Sequence, residues 1–185
     1  MDKVKGGSSV HYLECTNPRK DIWKVRWDFT DCEDGNAEYY EKEFIGKPSL
    51  DDIKQVIVAS YNDEANEKIL SGFYWRDRQV WLTSENQFNY KACYDAAVMS
   101  SGATLPITFK FGSDEEPIYF TFNDLATITD FYQKTLTYLQ TTLAEAWAKK
   151  DNIDLTKYND EEVYIAGSEP AESSTQINDG GYCSE

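Results

Sequence analysis

The chain reads as an α+β protein in which an antiparallel β-meander and hairpins are covered by about three helices, with an extended C-terminal tail. Three observations predict this. Residues 22–29 and 105–122 alternate apolar and polar side chains, the period of strands with one buried face. Residues 123–150 place apolar side chains at steps of three and four, the period of an amphipathic helix. From Gly167 onward Ser, Glu, Gly, Thr and Asn dominate, a composition that does not offset its own ordering entropy.

Taken in order, Val10–Glu14 is the first strand. The second has Trp23, Val25, Trp27 and Phe29 on one face and Lys24, Arg26 and Asp28 on the other; Ala37–Ile45 is the third. Asn17-Pro18 and Asp34-Gly35-Asn36 supply the turns, so residues 1–48 form a three-stranded meander. Gly46-Lys47-Pro48 ends it. Ser49 with Asp52 makes a capping-box start for a helix at 49–68, with Leu50, Ile53, Ile57 and Tyr61 inward. A tight hairpin follows, with Phe73 and Trp75 going up, Arg76-Asp77-Arg78 turning, and Val80-Trp81-Leu82 returning. Ser84 and Gln87 form a second capping box. It opens a helix to Met99 with Phe88, Ala92, Ala96 and Met99 inward, and Gly102 terminates it in the left-handed region.

Leu105, Ile107, Phe109 and Phe111 then pair with Ile118, Phe120 and Phe122 across the loop Gly112–Pro117. Two such greasy strands need a cover. The helix that follows, capped by Asn123, supplies it through Leu125, Ile128, Tyr132, Leu136, Leu139, Leu143 and Ala146. Residues 49–157 thus form a hairpin-helix-hairpin-helix domain, and 158–185 an acidic, Ser/Gly-rich extended or disordered tail.

The formal net charge of -15 argues against binding nucleic acid or an anionic membrane, which needs clustered Lys and Arg. No apolar run approaches the ~20 residues of a membrane helix, and residues 1–7 lack the apolar core of a signal peptide, so synthesis and use in a cytoplasm are expected. Cys15, Cys32, Cys93 and Cys183 lie far apart and read as free thiols; His11 is the one histidine. The acidic turns Asp31–Gly35 and Asp114-Glu115-Glu116 lack calcium-loop spacing and read as solvated. No nucleophile elbow, phosphate loop or zinc-protease motif is present. No catalytic, cofactor-binding or metal-binding residue is therefore assigned.

The chain is instead rich in aromatics, with 13 Tyr, 9 Phe and 5 Trp. Such side chains carry cores and interfaces alike. Trp23, Trp27, Phe109 and Phe120 read as core. Tyr74, Trp81, Tyr90, Tyr94 and Tyr119 read as candidates for an interface, and Tyr182 as a docking anchor near the end of the tail.

The segments Gly72-Phe73-Tyr74-Trp75, Val80-Trp81-Leu82-Thr83-Ser84-Glu85-Asn86-Gln87 and Leu105-Pro106-Ile107-Thr108-Phe109-Lys110, followed by a strand into a long helix, are similar to a family. Ile69–Asp154 resembles a domain of unknown function in small proteins of tailed phages and prophages of Bacteroides-type hosts, often at tail-fibre loci. The resemblance implies a virion component associated with the tail or tail fibre, a non-catalytic adaptor made in the bacterial host cytoplasm. It implies other phage structural proteins as partners and copies arranged as a homo-oligomer such as a trimer or ring. The alternative it implies is a tail-fibre assembly chaperone absent from the mature virion.

Overall fold

The computed structural model describes residues 3–113, 115–159 and 164–165. Most of the expected tail, Tyr182 included, lies outside the described residues. Among the described residues the architecture is α+β, with a five-stranded sheet, two hairpins and three α-helices. No described helix is long and apolar enough to cross a membrane.

The expected meander is present as β2 (Leu13–Asn17), β3 (Ile22–Asp31) and β4 (Asn36–Ile45), antiparallel throughout. Its first strand begins at Leu13 and not at Val10. Two strands extend the sheet beyond the reading from sequence. β1 (Val4–Gly7) pairs antiparallel with β4, and β9 (Tyr164–Ile165) pairs parallel with β2. The order is β1-β4-β3-β2-β9.

One face of this sheet buries Leu13, Cys15, Trp23, Val25 and Trp27 against Ile53, Ile57 and Tyr61 of α1 (Leu50–Ser71). Burial of this alternating apolar face is what holds the meander flat on the helix. Tyr158 completes the cluster from a 3-10 turn at Leu155–Tyr158, and its hydroxyl donates to the Arg26 carbonyl at 2.8 Å. Tyr158 is 4 % exposed, so a tail beginning at residue 158 cuts through packed structure; the chain stays on the core to at least that point.

α1 starts as expected. The Ser49 hydroxyl accepts from the Asp52 amide, and the Asp52 carboxylate accepts from the Ser49 amide. Leu50 departs from expectation, facing solvent beside the cap. Gly72 follows α1, where an added Cβ would collide with the Tyr138 hydroxyl and the Lys68 carbonyl.

The second core gathers β5 (Phe73–Trp75), β6 (Arg78–Val80), α2 (Ser84–Met99), β7 (Ile107–Gly112), β8 (Pro117–Phe122) and α3 (Leu125–Asp151). Phe73, Trp75, Val80, Leu82, Tyr90, Ala97, Phe111, Phe122, Ile128 and Phe131 are all buried in it. Both helix caps lie one residue from the expected positions. Thr83, not Ser84, caps α2, accepting from the Asn86 amide; Gln87 instead donates its side-chain amide to the Leu82 carbonyl. Asp124, not Asn123, caps α3, accepting from the Thr127 amide. Two adjacent cap-competent residues compete at each start, and the one left in extended geometry wins.

The inward faces also differ. On α2, Phe88 is 72 % and Met99 87 % exposed, and Ala92 and Ala96 face solvent; Tyr90 and Ala97 point inward instead. On α3 the buried set is Ile128, Phe131, Thr135, Thr142 and Ala146. The expected stripe is rotated away by about one residue, ~100° on the helix: Leu136 and Leu143 face solvent while Ile128 and Ala146 stay inside.

Close packing of α3 on α1 explains the rotation. Ala65 of α1 lies opposite Thr142 and Ala146, and side chains this small let two helix axes approach where leucine would hold them apart. Polar bonds lock the approach. Lys149 donates to Glu64 at 2.7 Å, and the Tyr138 hydroxyl donates to the Lys68 carbonyl at 2.8 Å.

Phe131 is 0 % exposed and its ring meets those of Trp75, Tyr90, Phe109, Phe111 and Phe122. Phe131→Ala is expected to cost about 3–5 kcal/mol of stability, the range for truncating a fully buried aromatic. Tyr119→Ala, at a side chain 68 % exposed, should change it by about 0.5 kcal/mol or less. Urea unfolding of both variants checks this.

Candidate functional site

β5 alternates Phe73 and Trp75 inward with Tyr74 outward, and Tyr74 is 61 % exposed. The β5–β6 loop is two residues long. Arg76 (φ 49°) and Asp77 (φ 61°) both hold positive φ, the geometry of a type I′ turn that usually takes Asn-Gly. The Arg76 guanidinium lies 4.5 Å from the Trp75 ring centre, and Arg78 lies 5.3 Å from that of Phe120. Stacking on the buried Trp75 and the half-buried Phe120 offsets the strain of the turn.

Trp75 also donates its indole N–H to Asp130 of α3 at 2.9 Å, and Lys134 pairs with the same carboxylate at 2.9 Å. The Lys134 bond, and after it the Trp75 bond, hold the Asp130 carboxyl below the usual aspartate range.

Of the other interface candidates, Tyr119 stands outward on β8, 68 % exposed. Trp81 is half-buried, donating its indole N–H to the Gly112 carbonyl at 2.7 Å, so it clamps the end of β7. Tyr94 is half-buried and stacked on Tyr132 of α3, with ring centres 4.4 Å apart and planes 15° apart. Tyr90 overturns its assignment to the surface. It is 4 % exposed, and burial pushes its hydroxyl up to about 12. A helix phase one residue off explains the error: the step that turns Phe88 outward turns Tyr90 inward.

Sequence reading missed two further features. The first is the outer face of α2 and α3. Phe88, Lys91, Tyr132, Leu136 and Leu139 line a groove of about 260 Å³ between these helices. Its signal was present as the Leu136–Leu143 repeat, but was assigned to the core. The second is an ionic network on the sheet. Arg26 is 5 % exposed although it alternates with the core residues of β3. It donates to Glu14 at 2.7 Å, to Glu41 at 2.8 Å and to the His11 carbonyl at 2.9 Å. Lys24 also bonds Glu41, at 2.6 Å. These bonds satisfy the guanidinium, so the network reads as structural.

Among the described residues no group of three or more His, Cys, Asp or Glu side chains is placed to hold a metal ion. Large apolar side chains exposed on the described surface include Tyr74, Tyr119, Phe88, Leu136, Leu143 and Trp147.

Burial raises the pKa of Glu41, and hydrogen bonds from Lys24 and Arg26 more than reverse this, so the carboxyl lies below the ordinary glutamate range. A lowered folded-state pKa gives stability that is present above the unfolded value and is lost as pH falls through the folded one. Glu41→Gln is therefore expected to cost about 1.5–3 kcal/mol at neutral pH, the worth of hydrogen bonds to a charged group. It should also flatten the loss of stability below about pH 4. Urea titrations at neutral and acid pH measure both effects; equal losses at the two pH values would contradict the assignment.

Residues 52–166 match the family described as a domain of unknown function, DUF4376. Neither a curated protein nor a solved structure matches the chain.

Proposed function

The chain belongs to the DUF4376 family, and on that premise we propose that it is a tail- or tail-fibre-associated component of a tailed-phage particle, acting as a protein–protein adaptor without catalysis. The observation that carries the reading is the exposed apolar set, Tyr74, Phe88, Tyr119, Leu136, Leu143 and Trp147, on a chain of net charge -15. Acidic surface keeps such a chain soluble, while large exposed apolar side chains favour contact with another protein. The resemblance of Ile69–Asp154 to small proteins of phage tail-fibre loci supports the phage setting. Other phage structural proteins are the partners, and the virion tail region is the place.

Mass spectrometry of purified particles from the host that carries the gene tests this. The protein is expected in fixed stoichiometry with tail components. Its presence in the infected-cell lysate but absence from particles would overturn the reading and favour a tail-fibre assembly chaperone.

A further inference from the structure

Trp27 is the exception among the tryptophans packed into the fold. Trp23 donates its indole N–H to Asp21 at 2.7 Å, Trp75 to Asp130 at 2.9 Å and Trp81 to the Gly112 carbonyl at 2.7 Å. Trp27 is 2 % exposed, and its indole N–H meets no acceptor among the described residues. A buried donor left unmet costs about 1–3 kcal/mol, so it calls for a reason. The strand is also irregular there. The β3–β4 register slips between Trp27 and Thr30, and Asp28 holds a φ of 56°. Bulges, and positive φ at residues other than glycine, gather at binding sites. Trp27, Asp28 and Phe29 line one side of a cavity of about 250 Å³. Ile57 and Tyr61 of α1, Tyr12, and the turn that follows α3 line the rest.

We propose that this cavity binds a neutral sugar ring, as a free monosaccharide or as the end of a glycan. The walls suit the flat side of such a ring. The Tyr12 ring lies 4.7 Å from that of Phe29 and 5.8 Å from that of Tyr158, and all three line the cavity. The negative face of an aromatic ring accepts the C–H face of a sugar. The polar groups decide the class. Asp28 and Asp154 bring carboxylates to the lining, and Asn152 and Lys157 bring donors. An anion would meet both carboxylates. A cation would meet Lys157, and would find Asp28 already paired with Lys3 at 3.2 Å and near Lys149 at 3.9 Å. A hydrocarbon ring would leave the Trp27 N–H unmet. A ring of hydroxyls donates to the carboxylates and accepts from Trp27 and Lys157 at once. The volume lies below the ~300–1,000 Å³ of drug-sized sites, which suits one ring. The inference goes beyond the phage reading and does not require it.

Nuclear magnetic resonance of the indole N–H groups of the full chain tests it, with glucose, galactose, mannose and N-acetylglucosamine each added at millimolar concentration. At least one of the four is expected to move the Trp27 signal, identified by its loss in Trp27→Phe, and to leave those of Trp75 and Trp81 in place. Lys157→Ala, at an exposed side chain, should weaken the affinity for that sugar by about two- to tenfold, the worth of one hydrogen bond. Trp147→Ser, at an exposed ring outside the cavity, should not. Should Trp27→Phe fail to fold, saturation transfer from protein to sugar, reduced in Lys157→Ala and kept in Trp147→Ser, carries the test. Indole signals and saturation transfer that none of the four sugars changes overturn the proposal, as does binding that Lys157→Ala leaves at full strength. Such a failure leaves the virion reading untouched, since the composition of purified particles decides that reading alone.

Discussion

The packing of Trp75 against Phe131 is the contact on which the rest of the second core depends. Trp75 is 1 % exposed, and its ring meets Phe111, Phe120, Phe122 and Phe131 at centre distances of 4.9–6.3 Å. Strands of three residues do not hold a hairpin together in water. β5 and β6 persist because Trp75 and Phe73 are driven under α3 and because the Trp75 indole is fixed on Asp130. β7 and β8, also only a pair, lean on the same rings. The first turns of α3 are therefore committed to the hairpins.

The later turns of α3 are committed to α1 by a different device. Small residues bring the helices close, and Lys149 then reaches Glu64 at 2.7 Å and Asp28 of β3 at 3.9 Å. That lysine ties α3, α1 and the five-stranded sheet at one point. The family match begins at residue 52, inside α1, so β1–β4 lie outside it although they rest on α1 and on the turn carrying Tyr158. The N-terminal sheet is in this sense built on a floor that the family region provides. With one face of α3 used by the hairpins and α1, Leu136 and Leu143 on its other side remain exposed.

Much of this was legible from residues alone. The alternation from Trp23 to Trp27, the Ser49–Asp52 cap and the two hairpins could be read because each signal is local and strong. β1 was missed because Val4-Lys5-Gly6-Gly7 has little strand character; its order comes from pairing with Asn36–Tyr39, 29 to 35 residues away. The helix phases were missed for a general reason. α2 and α3 carry apolar side chains around more than half their circumference, so periodicity shows that a face exists but not which one is inside. Leu136 and Leu143 were read as core. Close approach of α1 buries Thr142, while Thr135 is buried beside Gln87 and Phe88 of α2; a phase error on α2 carried Tyr90 into the candidate interface and kept Phe88 out of it.

A double-mutant cycle on Trp75→Leu and Phe131→Leu, followed by urea unfolding, tests most directly whether α3 holds the hairpins through this pair. The rings are edge-to-face at 5.3 Å, and a coupling of about 0.5–1.5 kcal/mol beyond additivity is predicted. Two losses that simply add, within about 0.3 kcal/mol, would show that the hairpins are held some other way.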